Sequence, residues 1–522
     1  MSDASWPIHW KEVAVFDFNS AALGKPPFEL MIAAGKHLAN MVASTIEESM
    51  KSNSEVWILC GPGNNGGDGY VAAKVLSDEG YKIRILSTHQ KQKTELSQAA
   101  RDHSLESDEL TIHVWENSAW DIEPPEVAST NVAMIVDAML GVGSGGSGEA
   151  NTPRGAVKDV LLWTAKHFSS GAPRVLACDV PTGFGSKLQL RAGRTLTFHE
   201  EKIGMRNSDG EFNDGLGDVI VAPLPFPAGF SDVGIGDATR YPRLEKGAIK
   251  GDRGRVLIVG GGPYHGAPIL AGLGAARMGC DLVHIAMPSI SQSKVEWPPD
   301  LIPEKIPDDE YFTEDSVHVL ADRITSGRGV QAMVIGPGLG RNEKTISAVK
   351  KLLEIAVSHS VPCVVDADAI YALPQGKWYE NLIGVATPHE SEKDFWLGNI
   401  TPSEAISEST GKTWNTWSED AENVVIVTTG AVDHLVGIGG RECNASGGNP
   451  RMAMGGTGDL LAGAIGGLLA TGMSPWAASR LACYIMRESG NVANSQLGPG
   501  LVASDLPQYM AGALATALLI QD

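Results

Sequence analysis

Apolar and polar positions alternate in blocks along this chain, so that short apolar runs are followed by stretches with helical periodicity. The apolar runs lack the polar alternation of a half-exposed strand, which indicates strands buried on both faces of a parallel sheet. The clearest runs are 56–60, 82–86, 134–140 and 174–180 in the first half and 255–262, 281–287, 333–340, 361–368 and 424–430 in the second. The helical pattern is strongest over 68–79, 268–278, 343–358 and 457–471. This alternation of strand and helix predicts an α/β protein with parallel sheets.

One segment interrupts the alternation. Residues 222–240 are rich in Pro and Gly with little periodicity, which is typical of a linker, and a new α/β pattern starts directly afterwards. We therefore predict two domains, 1–228 and 229–522. Residues 87–125 are polar with scattered Trp and predict surface helix and loop, and residues 143–153 predict a flexible loop.

Composition narrows the class of protein. The 522 residues are ample for two large α/β domains, and Lys+Arg 41 against Asp+Glu 62 gives a net charge of −21. That charge argues against a nucleic-acid or anionic-membrane partner, although backbone amides bind small anions inside an acidic protein.

The six cysteines form no CxxC pair, and no histidine stands at zinc-ligand spacing, so we expect buried free thiols in a reducing cytoplasm. The longest nearly apolar run, 460–473, is shorter than the ~18 residues that a membrane span needs, and the N-terminus does not read as a signal peptide. We expect a cytoplasmic protein without a membrane partner.

The first candidate site is the sequence GPGNNGGDG at 61–69, between a predicted strand and a predicted helix. Its glycines leave amides uncovered at a helix N-terminus, which suits a phosphate or pyrophosphate. A tight turn explains one or two of the glycines but not the polar residues among them. Asp137 and Asp179 end two further strands, and the ends of parallel strands converge on one crevice. A lone aspartate there could equally cap a helix.

The segment around Asp17–Asn19, LGKPPFELMIAAG, CGPGNNGGDGYVAAKVLSDEGYKI, VDAMLGVG, DVPTG and TLTFHEEKIG together resemble the YjeF N-terminal family of NAD(P)HX epimerases. The resemblance implies a K⁺ site and a site for the hydrated dinucleotide. K⁺ would be held by hard oxygen ligands on Asn65, Asp137 and Thr182. Asp179 would be a substrate ligand and the acid/base. The further substrate contacts would be Asn64, Asn65, Gly66, Gly67, Asp68, Gly141 and Lys202. Two departures are Thr182, where Ser is usual, and the GSGGSG stretch after Gly141.

The second candidate site is the sequence NPRMAMGGTGDLLAGAIGGLL at 449–469. Gly455, Gly456 and Gly458 precede a predicted helix, so their amides and the helix dipole form an anion hole. Asp459 in the first turn could accept a proton from an acceptor hydroxyl during phosphoryl transfer, or could merely complement the helix N-terminus. Glycine-rich or polar loops also follow other strands, at 260–267, 336–340, 366–370 and 387–392.

These motifs, with the opening KGDRGRVLIVGGGPYHGAPILAGLGAARMGCDLV, resemble the YjeF C-terminal family, the ADP-dependent NAD(P)HX dehydratases of the ribokinase-like fold. The resemblance spans about 245–515. It implies substrate contacts at Ala267, Gly338, His389 and Asp459, with Asp459 as the catalytic base. It implies nucleotide contacts at Gly430, Ala431, Val432, Asp433, Gly455, Gly456 and Gly458. The departures are Thr429 for a usual Lys, Arg451 for a usual Gly, and TPHESE for the commoner TPHxGE.

Together the resemblances imply an N-terminal Rossmann-like and a C-terminal ribokinase-like αβα domain. They imply a bifunctional enzyme of nicotinamide-cofactor repair that epimerises NADHX or NADPHX and dehydrates the 6S form. K⁺, Mg²⁺ and ADP, with ATP as the alternative, would be its ion and nucleotide requirements, and a homo-oligomer its assembly. Preference between NADHX and NADPHX, and between ADP and ATP, stays open.

Two other functions remain open from sequence. A ribokinase-like kinase of hydroxymethylpyrimidine, thiazole or a sugar would use the same GGTGD-type site, but would not need the first glycine-rich domain. The N-terminal domain could instead be a dinucleotide-binding interaction module. Asp137 and Asp179 favour retained chemistry, because binding alone would require neither carboxylate.

Overall fold

The computed structural model describes residues 7–46, 54–107, 109–125, 131–144, 148–168, 174–325, 329–411 and 419–521. These residues form two compact units that divide between Phe230 and Ser231. We call them the N-terminal unit and the C-terminal unit, and each has its own sheet.

The N-terminal unit contains an eight-stranded sheet in the order β4-β3-β2-β1-β5-β6-β7-β8, in which only β3 and β4 pair antiparallel. Its strands are β1 (Glu55–Cys60), β2 (Lys82–Ser87), β3 (Thr111–Glu116), β4 (Ala119–Trp120), β5 (Val132–Ala138), β6 (Arg174–Cys178), β7 (Arg194–Phe198) and β8 (Asp218–Ala222). Its helices are α1 (Glu12–Ala22), α2 (Pro27–Thr45), α3 (Asn64–Asp78), α4 (Glu95–Ser104) and α5 (Gly155–His167).

Both faces of this sheet are covered. Ile58 and Val136 point to one side and pack with residues of α2, α3 and α4. Their neighbours Trp57 and Ile135 point to the other side and pack with α5. The apolar runs of the sequence are uninterrupted because both faces of this parallel sheet are buried.

Two sequence predictions differ from the structure here. Helix α3 begins at Asn64 rather than Asp68, because the residues 64–67 already form its first turn. The segment 87–125 contains the strands β3 and β4 as well as a helix, so its prediction as surface helix and loop was wrong. Trp115 and Trp120 pack edge to face with ring centroids 5.0 Å apart, and this cross-strand pair stabilises the two-residue edge strand β4, which hydropathy alone does not reveal.

The C-terminal unit contains a nine-stranded sheet in the order β11-β10-β9-β12-β13-β14-β15-β16-β17, parallel except at β15–β16 and β16–β17. Its strands are β9 (Arg255–Val259), β10 (Leu282–Ala286), β11 (Leu301–Glu304), β12 (Ala332–Ile335), β13 (Cys363–Val365), β14 (Gly384–Ala386), β15 (Val424–Thr428), β16 (Asp433–Gly437) and β17 (Glu442–Ala445). Its helices are α6 (Ala267–Arg277), α7 (Ser289–Gln292), α8 (Glu314–Thr325), α9 (Glu343–Ser358), α10 (Glu390–Leu397), α11 (Pro402–Thr410), α12 (Thr457–Ala470), α13 (Pro475–Leu497) and α14 (Leu506–Leu518).

Helices α6, α12, α13 and α14 cover one face of this sheet, and α8 to α11 cover the other. Helices α6 and α12 approach so closely that a Cβ on Gly463 would lie 1.8 Å from the carbonyl oxygen of Ala271. A Cβ on Gly467 would lie 2.6 Å from that of Ala275. The glycines inside α12 therefore have a packing role, and this close contact fixes the N-terminus of α12 beside that of α6.

The predicted fold class, an α/β protein with two domains, is confirmed by the two units. The two ends of the proline-rich segment pack within different units. Phe226 and Phe230 stack with ring centroids 4.3 Å apart in the N-terminal unit, and Asp237 pairs with Arg480 in the C-terminal unit. All six cysteines are free and buried, as predicted. Among the described helices, none is long and apolar enough to cross a bilayer.

Candidate active sites

The first glycine-rich sequence lies where the strand order of the N-terminal sheet reverses. Strand β1 is at the centre of the sheet, with β2 on one side and β5 on the other. Ligands of open α/β sheets bind at such a reversal, beyond the carboxyl ends of the strands. A Cβ on Gly61 would lie 1.7 Å from the Met139 carbonyl oxygen, and one on Gly66 would lie 2.0 Å from that of Gly61. These two glycines are thus required by close backbone packing, whereas Gly63 faces open space.

Asn65, Gly141 and Asp179 meet at one point of this crevice. A Cβ on Gly141 would lie 3.0 Å from Asp179 Oδ2 and 3.2 Å from Asn65 Oδ1. Asp179 Oδ2 also accepts a hydrogen bond from the amide of Val142 at 3.2 Å. The backbone of Asp179 has a φ of +65°, in the left-handed region that a non-glycine residue rarely adopts. Such strain at a strand end is typical of a functional position.

Lys202 is the counter-charge of Asp179. Its Nζ lies 3.1 Å from Asp179 Oδ1 and donates to Thr197 Oγ1 at 2.9 Å. The same ammonium donates to the carbonyl oxygens of Phe198 and Glu200, each at 2.9 Å. Lys202 is only 3% exposed, so its donors are all directed inward and it orients the Asp179 carboxylate.

Asp137 and Thr182 form a second buried pair. Thr182 donates to Asp137 from both Oγ1 and its amide, each at 2.7 Å. Burial raises the pKa of Asp137 to about 6, although these hydrogen bonds and one from the amide of Met139 oppose the shift. Among the described residues no Lys, Arg or His pairs with Asp137. The carboxylate of Asp137, the hydroxyl of Thr182 and the side-chain oxygen of Asn65 are hard oxygen ligands of the kind that K⁺ would take.

Asp17, which the sequence did not assign to the site, lies in the same crevice. Burial raises its pKa to about 7, and the charge of Asp179 adds to the shift. The pKa of Asp68 is raised well above its usual range by burial and then by the charges of Asp179 and Asp17. Both side chains are only partly exposed, and neither accepts a hydrogen bond from the described residues. Three carboxyl groups thus lie close to one another beside a single ammonium.

Asn64 and Gly67 lie at the margin of this site. Asn64 Oδ1 accepts a hydrogen bond from Thr94 Oγ1 at 2.6 Å. A Cβ on Gly67 would lie 2.5 Å from the methyl group of Met31, so this glycine has a packing role. Residues 145–147 of the loop after Gly141 lie outside the described residues.

The C-terminal sheet reverses its strand order between β9 and β12, and the loops after these two strands touch each other. The amide of Gly261 donates to the Pro337 carbonyl oxygen at 2.9 Å. Gly338 has a φ of +70°, and a Cβ there would lie 2.2 Å from the carbonyl oxygen of Tyr264. Ala267 follows directly as the first residue of α6, so Gly338 and Ala267 border the same crevice.

Asp459 lies in the first turn of α12, next to the glycines of the second motif. Gly456 precedes the helix with a φ of +100°, whereas Gly455 and Gly458 face open space. Burial and the nearby charge of Asp368 raise the pKa of Asp459 to about 6. Asp366 is almost completely buried, and its pKa is raised well above its usual range by burial and then by Asp459. The open amides and a readily protonated carboxylate form a site for an anion and a hydroxyl group.

His389, which the sequence predicts as a substrate contact, has a structural role in this fold. It caps α10, since its Nδ1 accepts from the amide of Glu392 at 3.4 Å and its own amide donates to Glu392 Oε2 at 3.1 Å. It also forms a parallel β-bridge with Thr429, so the 387–392 loop lies directly against the predicted nucleotide loop.

Arg487, which was not predicted from the sequence, binds the predicted nucleotide loop, 430–433, through its guanidinium group. Arg487 pairs with Asp433 at 2.7 Å and donates to the Ala431 carbonyl oxygen at 3.0 Å. The amide of Gly430 donates to Asp433 Oδ1 at 3.0 Å. Val432 is exposed. Asp433 and Arg487 are thus engaged with each other, and together they hold the backbone of Gly430 and Ala431 in place.

These features define the class of protein, namely an α/β protein with two crevices, each formed by glycine amides and carboxyl groups where its sheet reverses strand order. Residues 27–204 match the family model of the YjeF-related protein N-terminus, and residues 256–511 match that of NAD(P)H-hydrate dehydratase. The chain is 32% identical to a bifunctional NAD(P)H-hydrate repair enzyme of Hyperthermus butylicus, over 96% of this chain and 91% of that protein. A protein of the same description from Methanothermobacter thermautotrophicus is 30% identical over 95% of this chain and 93% of its own length.

The chain therefore belongs to the family of bifunctional NAD(P)H-hydrate repair enzymes, as the sequence predicted. It is also similar to a solved ADP/ATP-dependent NAD(P)H-hydrate dehydratase from Bacillus subtilis, which is 24% identical with a TM-score of 0.43. That match covers 54% of this chain and 96% of that protein.

Proposed function

We propose that the chain repairs hydrated nicotinamide cofactors in two steps, with an epimerase in residues 1–228 and a dehydratase in residues 229–522. The first step interconverts the R and S forms of NADHX or NADPHX. The second step dehydrates the 6S form with ADP and yields NADH or NADPH, AMP and phosphate. The observation that supports this proposal most directly is Asp459, which lies beside open glycine amides with its pKa raised to about 6.

In the epimerase, the reacting carbon is C6, which bears the hydroxyl and is bonded to the ring nitrogen. The protonated Asp17 carboxyl donates a proton as the hydroxyl leaves, and the nitrogen lone pair forms the C6–N1 double bond. Water adds to the opposite face while Asp179, oriented by Lys202, accepts its proton. A pair of carboxyl groups with different environments suits acid and base roles. The amides around Gly63 hold the dinucleotide phosphates.

K⁺ would be held by Asn65, Asp137 and Thr182. It would supply the positive charge that the buried Asp137 otherwise lacks. In this way it would fix the loops that follow β5 and β6 around the substrate site.

In the dehydratase, hydroxide is a poor leaving group and is first converted to a phosphate ester. Asp459 accepts the proton of the C6 hydroxyl as its oxygen attacks the terminal phosphorus of ADP. The amides of Gly455, Gly456 and Gly458 stabilise the charge on the transferred group, and AMP leaves. The C6–O bond then breaks with help from the ring nitrogen, and C5 loses a proton to the departing phosphate. Ala267, Gly338 and His389 border the substrate, whereas the 430–433 loop contacts the nucleotide.

Mg²⁺ would neutralise the phosphate oxygens during transfer. It usually binds substrate phosphates together with one or two carboxylates. Asp366 and Asp368 are the carboxylates whose charges interact with Asp459 and are therefore the candidates to hold it.

The decisive experiment uses purified chain, a mixture of R- and S-NADHX, Mg²⁺ and K⁺, and follows NADH formation with ADP, with ATP and with neither nucleotide. Full conversion of both epimers with one nucleotide is expected. Conversion that stops at the S fraction would contradict the epimerase. A stable phosphorylated product without NADH would instead identify a small-molecule kinase.

Cytoplasmic location and homo-oligomeric assembly remain proposals. The six buried free thiols support a reducing compartment. Light scattering of the purified chain would measure the assembly, and a monomer at assay concentration would contradict it.

A further inference from the structure

We propose that Arg451 binds the phosphates of the nucleotide in the C-terminal unit and is the main cationic contact of that site. This inference rests on the proposed dehydratase function. It adds a residue that neither the substrate nor the nucleotide contacts named above include.

The backbone of Arg451 is tied to the N-terminus of α12. Arg451 lies in a 3₁₀ turn, Pro450–Met452, whose start is capped by Asn449 Oδ1 accepting from the Arg451 amide at 3.1 Å. Thr457, the first residue of α12, donates from Oγ1 to the carbonyl oxygens of Met452 at 3.1 Å and Met454 at 2.9 Å. The turn that carries Arg451 is therefore held against the helix end where the open amides of Gly455 and Gly458 lie.

The Arg451 side chain has donors without acceptors. Its Nε is buried and has no hydrogen-bond partner among the described residues, and no carboxylate of the described chain pairs with its guanidinium. The neighbouring Asn449 Nδ2 is buried and unpartnered in the same way. Buried donors almost always find acceptors in folded proteins, so two orphaned donors in one turn indicate a missing acceptor. Phosphate oxygens suit this purpose, because guanidinium binds phosphate in a directional, charge-assisted manner.

The segment that leads into this turn is joined to the 430–433 loop at Gly447. Arg487 Nη1 donates both to the Ala431 carbonyl oxygen at 3.0 Å and to that of Gly447 at 2.8 Å, so one nitrogen joins the two segments. The charge of Arg487 is neutralised by Asp433 at 2.7 Å. Within 429–433 and 447–458, Arg451 is the only Lys or Arg in the sequence. Arg451 is thus the one cation of these two segments, and no acid neutralises it within the described residues.

The test is isothermal titration of the full chain with ADP and with adenosine, comparing wild type, Arg451→Gln, Arg451→Lys and the exposed control Arg277→Gln. Loss of a charge-assisted contact is expected to weaken ADP binding about tenfold or more in Arg451→Gln, with adenosine binding unchanged. Arg451→Lys should restore part of the affinity, and Arg277→Gln should bind like wild type. The KM for ADP in NADH formation should rise in parallel.

Adenosine binding and the thermal unfolding of the same preparations report whether the C-terminal unit of each variant is folded. Unchanged ADP affinity in a folded Arg451→Gln chain would overturn the role of Arg451 alone. Equal weakening of ADP and adenosine would overturn phosphate contact in favour of a general disturbance of the loop. A wild-type chain that binds neither ADP nor ATP would overturn this inference together with the proposed dehydratase.

Discussion

The ammonium of Lys202 lies 3.1 Å from the carboxylate of Asp179 and makes three further hydrogen bonds to Thr197, Phe198 and Glu200. It is the only described cation that pairs with the carboxyl groups of the N-terminal crevice. Asp17 and Asp68 lie nearby, and their pKa values are raised by burial and then by the charge of Asp179. One of the three carboxyl groups is therefore oriented and paired with a cation, whereas burial and the neighbouring charge favour the protonated form of the other two.

Replacing Lys202 tests this arrangement. Lys202→Gln leaves the partly buried Asp179 carboxylate without its counter-charge, which is expected to destabilise the N-terminal unit by about 1–3 kcal/mol. Epimerase activity should fall, whereas dehydration of pure S-NADHX should persist. Urea denaturation and the two assays measure these effects, with the exposed Lys187→Gln as the matched control. Equal stability of Lys202→Gln and Lys187→Gln would show that the pair contributes nothing.

Asp17 should affect both activity and the pH dependence of stability. Its pKa of about 7 lies above the usual 3.8, so the folded state binds more protons than the unfolded state between these two pH values. Stability of the N-terminal unit should therefore fall as pH rises through this window. The Asp17→Asn variant should lack this decrease in stability, and it should be more stable than wild type at pH above 7.

The same variant should lower epimerase turnover about 10²–10⁴-fold if Asp17 donates the proton. Asp209→Asn, an exposed carboxyl of the same unit, is the control for both measurements. An Asp17→Asn chain with wild-type turnover would remove Asp17 from the mechanism while leaving the stability prediction in place.

The dehydratase should lose activity as pH falls through about 6. Asp459 must be ionised to accept the hydroxyl proton, and its pKa is raised to about 6 by burial and by Asp368. The rate of NADH formation from S-NADHX should fall about tenfold per pH unit below that value. Asp459→Asn should reduce the rate about 10²–10⁴-fold at every pH. It should also abolish the decrease in rate below pH 6, with epimerase activity as the internal control. If the residual activity of Asp459→Asn still falls tenfold per pH unit below pH 6, the pH dependence belongs to another group.

Potassium should stabilise the N-terminal unit. A cation bound only by the folded state contributes about 2.7 kcal/mol at a concentration of 100 times its Kd. Thermal unfolding in KCl should therefore occur at higher temperature than in choline chloride of equal ionic strength. Asp137→Asn should abolish the difference, because it removes the charged oxygen donor. If the variant and wild type respond equally to KCl, the cation does not bind at Asp137.

Much of the fold could be predicted from the sequence, because parallel strands that are buried on both faces consist of continuous runs of apolar residues. Helix α9 was predicted over 343–358 and is observed as Glu343–Ser358. Strand β3 and the edge strand β4 escaped prediction, since β3 mixes polar with apolar residues, β4 has only two residues, and the contact of Trp115 with Trp120 joins them. The first turn of α3 escaped because its residues, Asn and Gly, have low helix propensity, and the loops packed around them hold it in place.

The sequence by itself determined the two α/β domains, the family and the two glycine-rich motifs, because these features reside in local pattern and spacing. Only the tertiary structure decided which side chains share a site. It paired Lys202 with Asp179, gathered Asp17 from a distant helix, engaged Arg487 with Asp433 and left Arg451 unpaired beside the α12 terminus. The physical reason is that contacts between residues far apart in the chain, and the burial that shifts their pKa values, arise only when the sheets order their strands and bring the loops together.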